Sequence, residues 1–341
     1  MHLYLPLLFT LSATLTTAQL TPNSTSQLPT NASFQDLIAY LPFINTTASF
    51  FLADPRASNQ LATAPSNPVT IFIDLDLPYQ QFLETPLPPG LAGETENASV
   101  SNEALQSDLL QYLQIDGVRP STTFNGTQFL QTRFNDTTYE NVTGGERIEV
   151  FRNETNFYIG TGINFKSNVL IPDLTFAGGI LHIVDTPFAP PYSIASTGIV
   201  LNISILAPIT AQLYQYPQTQ APLNISTAPD ITVFAVQNSV ADTLCPNTTI
   251  GSNYNYTGTY CSDAAQLSNY IVPGQVLYST NLTNGVVTAG TALPARGNAS
   301  VGAGAPLVVT TDSNGDIFVN NSRIIQRDII TSNGVVQVLE R

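Results

Sequence analysis

The chain has 341 residues, enough for two domains of ordinary size. Hydrophobic residues make up 43% of it and charged residues only 10%, with a net charge of −14. So few basic residues cannot build the cationic patch that nucleic acids or anionic membranes need, so we expect neither partner.

The first residues have the pattern of a secretory signal peptide. Leu3–Leu15 forms an apolar core, and Thr16-Thr17-Ala18 supplies small residues before a cut ahead of Gln19. The basic region that normally precedes such a core is weak, so a short membrane anchor is the alternative for residues 1–18. Residues 19–30 are polar and indicate a flexible leader. No later stretch is apolar over a length that would span a bilayer.

In the first half, the sequence predicts helices early and mostly strands later. Ser33–Leu52 has apolar residues at helical spacing with a break at Pro42, and Asn102–Leu113 is a second predicted helix. A buried strand is predicted at Val69–Ile73. Later strands are predicted at Ile148–Phe151, Phe157–Ile159, Val169–Ile171 and Ile180–Val184. The run Ala189-Pro190-Pro191-Tyr192 ends this unit.

The second half repeats that order. Thr197–Tyr216 is predicted to be helical in part, and Ala264–Tyr270 a short helix. Strands are predicted at Ile231–Ala235, Gln275–Ser279, Gly285–Ala289, Pro306–Thr310, Ile317–Val319, Arg323–Ile325 and Val335–Leu339. The plan is α+β, with domains expected at residues 31–191 and 196–341. The short linker implies that the two domains touch and move little relative to each other.

Two similar β-hairpin patterns indicate an internal repeat. Asn168–Pro191 and Ser322–Leu339 register 155 residues apart, so that Asp173 falls on Asp328 and His182 on Gln337. Each copy is an apolar run, a glycine turn and a second apolar run. The strand at Val69–Ile73 recurs at Ile231–Ala235, in the same order along the chain. Agreement in order and spacing indicates an internal duplication of domain size.

Glycosylation and cysteines both fit an extracellular protein. Fifteen Asn-x-Ser/Thr sequons indicate a heavily N-glycosylated chain: Asn23, Asn31, Asn45, Asn97, Asn125, Asn135, Asn141, Asn153, Asn202, Asn224, Asn247, Asn255, Asn281, Asn298 and Asn320. Cys245 and Cys261 are expected to close a short loop by a disulfide, worth about 3 kcal/mol. Two thiols with no neighbouring histidine cannot complete a zinc site.

These motifs resemble those of fasciclin-type domains. Ile231-Thr232-Val233-Phe234-Ala235-Val236 is similar to the first family motif, and Val69–Asp74 is a divergent copy. Asn333–Leu339 and Gly178–Asp185 are similar to the second motif, while Tyr270–Tyr278 resembles the family's centre. The resemblance covers nearly all of the mature chain. It implies two tandem domains, each a wedge-shaped β-sandwich with a helical flap.

The resemblance also implies a role in adhesion, cell wall or extracellular matrix. The central Tyr-His pair that some animal members use for integrin contact is absent, because Leu113 follows Tyr112 and Ile271 follows Tyr270. Integrin recognition is therefore not expected, but Tyr112 and Tyr270 remain the candidate adhesion surface. Expected partners are cell-surface, wall or matrix components, or a second copy of the chain. The sequence closes at Leu339-Glu340-Arg341, and we expect no glycolipid-anchor signal in it.

Candidate chemical groups favour structural roles. His182 lies mid-strand, and the second copy has Gln337 there, so a Ser-His-Asp triad is not expected. Asp173 and Asp328 are expected to make local turn bonds. Asp74 and Asp76 could bind calcium only weakly. The run 312–316 resembles a calcium loop without its closing glutamate, so a hairpin turn is the better interpretation.

We therefore expect no catalytic, metal or cofactor-binding residue, and a secreted, non-catalytic adhesion or wall-associated glycoprotein. Two alternatives stay open. One is a small-ligand-binding protein or an enzyme acting on wall polysaccharide, with Asp74 or Asp173 as its candidate residues. The other is a passive glycoprotein spacer.

Overall fold

The computed structural model describes residues 32–78, 103–136, 140–211, 214–215, 219, 221–245, 249–250, 256–257, 267–282, 285–287, 291–294 and 306–341. The predicted signal peptide and leader lie outside these ranges. None of the helices in them has the length and apolar character needed to cross a bilayer.

In the first half, helices lie both before and after the first strand. They are α1 (Phe34–Ile38), α2 (Asn45–Ala53), α3 (Pro55–Thr63) and α4 (Glu103–Tyr112). Ser33 caps α1 with a reciprocal pair of bonds, since its hydroxyl accepts from the amide of Asp36 and its own amide donates to the Asp36 carboxylate. The break predicted at Pro42 is a short 3-10 turn, Pro42–Ile44.

Seven strands form one sheet in this half. They are β1 (Val69–Asp74), β2 (Gln114–Asp116), β3 (Gly126–Gln131), β4 (Arg147–Arg152), β5 (Phe157–Thr161), β6 (Phe165–Phe176) and β7 (Gly179–Val184). Their order across the sheet is β2-β1-β7-β6-β5-β4-β3, with β1 and β7 parallel. A bridge between Ile115 and Thr132 brings the β2 edge back to the end of β3, so the sheet folds over its own core.

The second half has the same architecture. Its helices are α5 (Ile194–Val200), α6 (Leu206–Ala211) and α7 (Asn238–Leu244). Its main sheet is built from β10 (Ile231–Val236), β13 (Ile271–Val272), β14 (Gly285–Val287), β16 (Leu307–Thr311), β17 (Ile317–Val319), β18 (Ser322–Thr331) and β19 (Gly334–Leu339). Their order across the sheet is β13-β10-β19-β18-β17-β16-β14. Short strands form two small sheets: β8 (Tyr214–Gln215), β9 (Pro222–Leu223), β11 (Thr249–Ile250), β12 (Tyr256–Thr257) and β15 (Leu293–Pro294).

The two predicted hairpins are antiparallel pairs with matching irregularities. β6 pairs with β7 and β18 with β19, and each pair shifts register twice before its turn. Asp173 and Asp328 sit in these bulges with φ of 65° and 57°. The α+β fold class is confirmed, and the duplication extends to individual backbone conformations.

Each half has its own hydrophobic core. One cluster of buried residues runs from Phe34 to Tyr192, and a second runs from Ile194 to Leu339. A small third cluster joins Tyr278, Ile330 and Val335 with the half-buried Phe129 of the first half. Burial of these apolar surfaces is the main source of stability, at about 25 cal/mol per Å².

One predicted strand is wrong. Gln275–Ser279 is irregular and leads into a 3-10 turn, Ser279–Asn281. Gly274, with φ of 75°, turns the chain at its start, and the amides of Leu277 and Ser279 bond to side chains rather than to a neighbouring strand. Of the predicted helix Ala264–Tyr270, residues 267–270 are described: Leu267 and Ser268 are helical, and a turn follows at Asn269 and Tyr270.

Candidate functional site

A loop after β2, residues 117–121, is held by side chains of neighbouring strands. The hydroxyl of Thr70 on β1 donates to the carbonyl of Gly117 (2.7 Å) and accepts from the amide of Arg119 (2.8 Å). The carboxylate of Asp173 accepts from both the amide (2.7 Å) and the hydroxyl (2.5 Å) of Ser121. We call residues 117–121 and their counterpart 275–279 the pinned loops.

His182 on β7 completes this arrangement in the first domain. Its Nδ1 accepts from the amide of Asp173 (3.3 Å), and its Nε2 lies 3.0 Å from the carbonyl oxygen of Arg119. These partners place the proton on Nε2. Burial, with Phe72 stacked on the ring at 5.3 Å, lowers the pKa of His182 below its usual value. Neither ring nitrogen is left to activate a nucleophile.

Gln337 occupies the same place in the second domain. Its Oε1 accepts from the amide of Asp328 (2.9 Å), and its Nε2 donates to the carbonyl of Leu277 (3.0 Å). Asp328 in turn accepts from the amide of Ser279 (2.7 Å). Thr232 bonds Gln275 and Leu277 as Thr70 bonds Gly117 and Arg119. The same polar lattice is therefore built once with histidine and once with glutamine, which makes its role structural.

The prediction of an adhesion surface at Tyr112 is wrong for this side chain. Tyr112 is 0% exposed, because α4 turns it into the core. Its ring packs edge-on against Phe134 and Phe188, and its hydroxyl donates to the carbonyl of Arg147 (3.2 Å). A partner molecule cannot reach it.

Tyr270 is half-buried and lines a cavity of about 310 Å³ in the second domain. Asn269, Asn320 and Arg341 add polar groups to the wall. Oδ1 of Asn269 is buried and has no hydrogen-bond partner among the described residues. Burial raises the pKa of Tyr270, so its hydroxyl stays protonated at neutral pH. A ligand that carries hydroxyl or amide groups would find donors and acceptors here.

The remaining acidic candidates do not form a reactive cluster. Asp74 is fully buried, which raises its pKa well above the usual value, and its oxygens have no partner in the described part of the chain. Asp76 caps the amide of Thr47 (2.9 Å). Oδ1 of Asp312 accepts the amides of Asn314 and Asp316, as expected of a hairpin turn. Within the described ranges, no three His, Cys, Asp or Glu residues lie close enough to hold a metal ion.

The two domains are hydrogen-bonded to each other through the loop before β4. The amide of Asn141 donates to the carbonyl of Ser332 (2.5 Å), and its Nδ2 donates to the carbonyl of Thr227 (2.7 Å). Thr143 donates from its amide (2.8 Å) and its hydroxyl (2.5 Å) to the carboxylate of Asp230. Four bonds thus join one segment of the first domain to two segments of the second, the loop before β10 and the turn between β18 and β19.

Aromatic and backbone contacts add to this joint. Phe129 on β3 stacks on Tyr278, with ring centroids 4.0 Å apart and an interplanar angle of 14°. Tyr192, at the start of the linker, forms a parallel bridge with Thr331, and its carbonyl accepts from the amide of Ser332 (2.8 Å). We call this set of contacts the interdomain joint.

Two buried carboxyl groups lie at the joint, and sequence reasoning did not identify them. Glu146 is 0% exposed, and burial raises its pKa well above the usual range. Burial raises the pKa of Glu140 to about 7, with the charges of Asp136 and Asp230 acting in the same direction. Oε2 of Glu140 accepts from the amide of Val142 (2.9 Å). Both groups therefore hold their protons more tightly than exposed glutamates do.

The sequon asparagines lie mostly on the surface. Eight of those described are exposed: Asn45, Asn125, Asn135, Asn153, Asn202, Asn224, Asn281 and Asn320. Asn141 is half-buried in the interdomain joint. Asn23, Asn31, Asn97, Asn247, Asn255 and Asn298 lie outside the described residues.

Cys245 ends α7 and is buried (1% exposed). Cys261 lies outside the described residues, so the disulfide between them stays a prediction.

Comparisons with known proteins point to one family. Residues 209–341 match the family model of the fasciclin domain. The chain is 25% identical to a fasciclin-like arabinogalactan protein of Arthroderma benhamiae over 90% of its length, and 20% identical to one of Cercospora beticola over 72%. It spans 65% and 61% of those two proteins, less than two thirds of either.

A solved FAS1 domain pair from the insect cell adhesion molecule fasciclin I also matches. The TM-score is 0.35 at 12% identity, and the match covers 87% of this chain and 95% of that one.

The fasciclin model matches the second domain, and the first domain repeats that domain's strand order, bulges and pinned loop. The match to the fasciclin domain is therefore direct for residues 209–341, and it extends to the first domain through the shared strand order and bulges.

Proposed function

We propose that this protein is a secreted, N-glycosylated, non-catalytic glycoprotein that attaches to components of the cell wall or extracellular matrix. One observation carries the proposal: exposed sequon asparagines are spread over both domains of a joined pair. Attached glycans would hydrate a surface that is poor in charged side chains. The names of the related proteins, fasciclin-like arabinogalactan proteins, support the same reading.

The cavity around Tyr270 is the contact site that we propose. It combines a half-buried aromatic ring with the amide side chain of Asn320 and the side chain of Arg341. A protonated phenol, an amide oxygen and a guanidinium are the kinds of groups that bind hydroxylated ligands. Polysaccharide of the wall is therefore the ligand class that the cavity fits best.

The same cavity favours the small-ligand alternative, because about 310 Å³ is the lower end of the range for ligand pockets. The enzymatic alternative has less support. The carboxylate of Asp173 is occupied by Ser121, and Asp74 is buried with a raised pKa. Neither carboxyl lines the Tyr270 cavity.

Attachment assays with point variants test the proposal. Beads coated with the secreted full chain would be incubated with isolated fungal wall and with one another, using the native protein, Tyr270→Ser and Tyr40→Ser. Tyr40 is also half-buried but lies in the first domain, so it controls for the loss of one tyrosine.

We expect saturable wall binding that Tyr270→Ser weakens and Tyr40→Ser leaves unchanged. Equal binding by all three proteins would refute the Tyr270 site. Clustering of beads without wall would identify a second copy of the chain as the partner. No attachment at all would favour the hypothesis that the chain is a passive glycoprotein spacer.

A further inference from the structure

A second cavity lies between the two domains. It has a volume of about 310 Å³. The first domain contributes Phe129, Thr143 and Arg147, and the second contributes Asp230, Gln275, Tyr278 and Asn281. The interdomain joint forms its walls, because Thr143 bonds Asp230 and Phe129 stacks on Tyr278 there. Whatever fills this cavity contacts both domains at once.

Tyr278 and Arg147 bring polar groups to this cavity. Tyr278 is 3% exposed, and its hydroxyl is buried without a hydrogen bond in the described part of the chain. The guanidinium of Arg147 forms no salt bridge with any described residue. The buried hydroxyl lies behind the cavity surface, so the wall offers an occupant the ring of Tyr278 and the guanidinium of Arg147, which can donate to hydroxyl or amide oxygens.

The charges around the cavity disfavour a strongly charged occupant. Asp230 and Arg147 both line it, and their charges act on the buried Glu140 and Glu146, respectively. A polyanion would meet the carboxylate of Asp230, and a cation would meet the guanidinium of Arg147. A neutral, hydroxyl-rich group such as a sugar ring fits this mixture of donors, acceptors and aromatic surface.

The chain carries a site for such a group at the cavity itself. Asn281 is exposed, lines the cavity and belongs to the sequon Asn281-Leu282-Thr283. Its position is fixed relative to the cavity wall, because its amide donates to the carbonyl of Tyr278 (2.8 Å). A sugar linked to Nδ2 of Asn281 would start at the cavity and need no separate binding event to reach it.

We propose that the N-glycan of Asn281 seats its protein-linked sugar in the cavity between the domains and thereby stabilises the interdomain joint. This rests on the proposed function in one respect, that the chain is secreted and glycosylated. The glycan acts here as a structural ligand held by both domains, in contrast to the glycans on outward-facing sequons.

The test compares loss of this sequon with loss of another. The full chain would be secreted as the native protein, Asn281→Gln, Thr283→Ala, Thr283→Ser and Asn153→Gln. Thr283→Ala removes the glycan but keeps the asparagine, while Thr283→Ser keeps the sequon. Asn153 is an exposed sequon on a turn between β4 and β5 and does not line the cavity.

Peptide mass spectrometry would first measure occupancy at Asn281 and Asn153. Hydrogen exchange would then follow the amides of Asn141, Thr143 and Ser332, which all donate into the joint. We expect these amides to exchange about tenfold faster in Asn281→Gln and Thr283→Ala than in the native protein. Thr283→Ser and Asn153→Gln should leave them unchanged, and so should trimming every glycan to one sugar.

An unoccupied Asn281 beside an occupied Asn153 would overturn the proposal. So would an occupied Asn281 whose loss leaves exchange at the joint the same as in Asn153→Gln. A secreted protein with no glycan at either site would instead refute the proposed function, which requires N-glycosylation.

Discussion

Phe129 of the first domain stacks on Tyr278 of the second, with ring centroids 4.0 Å apart and planes at 14°. Tyr278 belongs to a pinned loop, so this contact connects the sheet of one domain to a loop of the other that side-chain hydrogen bonds hold in place. Stacked aromatic pairs contribute about 0.5–1.5 kcal/mol beyond the area that they bury.

A double-mutant cycle on this pair measures the coupling between domains. We expect Phe129→Ala and Tyr278→Ala each to destabilise the full chain and to show about 1 kcal/mol of interaction energy when combined. The free energy of unfolding of all four proteins, from urea titration, gives this number. Strictly additive effects would mean that the two rings do not stabilise the joint.

The joint should weaken as pH rises through neutrality. The pKa of Glu140 is raised to about 7 in the folded protein, against about 4.3 in an unfolded chain. Between these values the folded state binds more protons than the unfolded state, so the stabilising contribution is complete below about pH 4 and is lost as pH rises through 7. Glu146 acts in the same direction.

Glu140→Gln tests this linkage, because an amide cannot acquire the charge. The difference in unfolding free energy between pH 5 and pH 8 should be smaller in Glu140→Gln than in the native protein. Glu154→Gln is the control, since Glu154 is exposed on a turn. An identical pH dependence in Glu140→Gln and the native protein would show that Glu140 does not titrate in this range.

The duplication predicts that His182 can be replaced by glutamine. Because Gln337 makes the equivalent bonds in the second domain, His182→Gln should cost less than about 1 kcal/mol. His182→Leu removes the bonds to Asp173 and Arg119 and should cost about 2 kcal/mol. Similar losses in the two variants would contradict the equivalence.

The native protein and His182→Gln should also differ in how their stability depends on pH. The pKa of His182 is lowered in the folded state, so below about 6.5 the unfolded chain binds more protons and the stability contribution is lost as pH falls. His182→Gln should not lose stability in this way, because glutamine does not take up a proton. Unfolding titrations of the native protein and His182→Gln at pH 7.5 and pH 5 should diverge on the acid side.

Gly178 in the first hairpin turn should not accept a side chain. Its φ is 82°, and a Cβ there would lie 2.2 Å from the carbonyl carbon of Ala64. Gly274 has a similar φ of 75° but no atom within 4 Å of a Cβ, so Gly274→Ala measures backbone strain alone. By chemical denaturation, Gly178→Ala should cost about 2 kcal/mol more than Gly274→Ala. Equal costs would mean that the turn can move away from α3.

Periodicity and turn residues predicted most of the fold. The runs at Val69–Ile73 and Ile231–Ala235 are strands because they are continuous and β-branched, and the glycine turns located both hairpins. Gln275–Ser279 has strand-like composition but belongs to a pinned loop. Its amides bond to Thr232 and Asp328, and side-chain bonds over such distances leave no local pattern in the sequence.

The candidate sites were less predictable. Exposure of Tyr112 and Tyr270 depends on which face of each segment meets the sheet, and the two tyrosines differ because only Tyr112 packs against Phe134 and Phe188. Glu140, Glu146 and the cavity at Asn281 depend on how two domains meet. The short linker predicted contact but not its geometry.

Wall retention measured together with release of soluble sugar tests the central claim most directly. The native full chain would be incubated with isolated wall, and bound protein and soluble carbohydrate would be followed over time. The account predicts saturable retention with no carbohydrate released above a protein-free control. Progressive release of defined sugars, or no retention at any protein concentration, would contradict it.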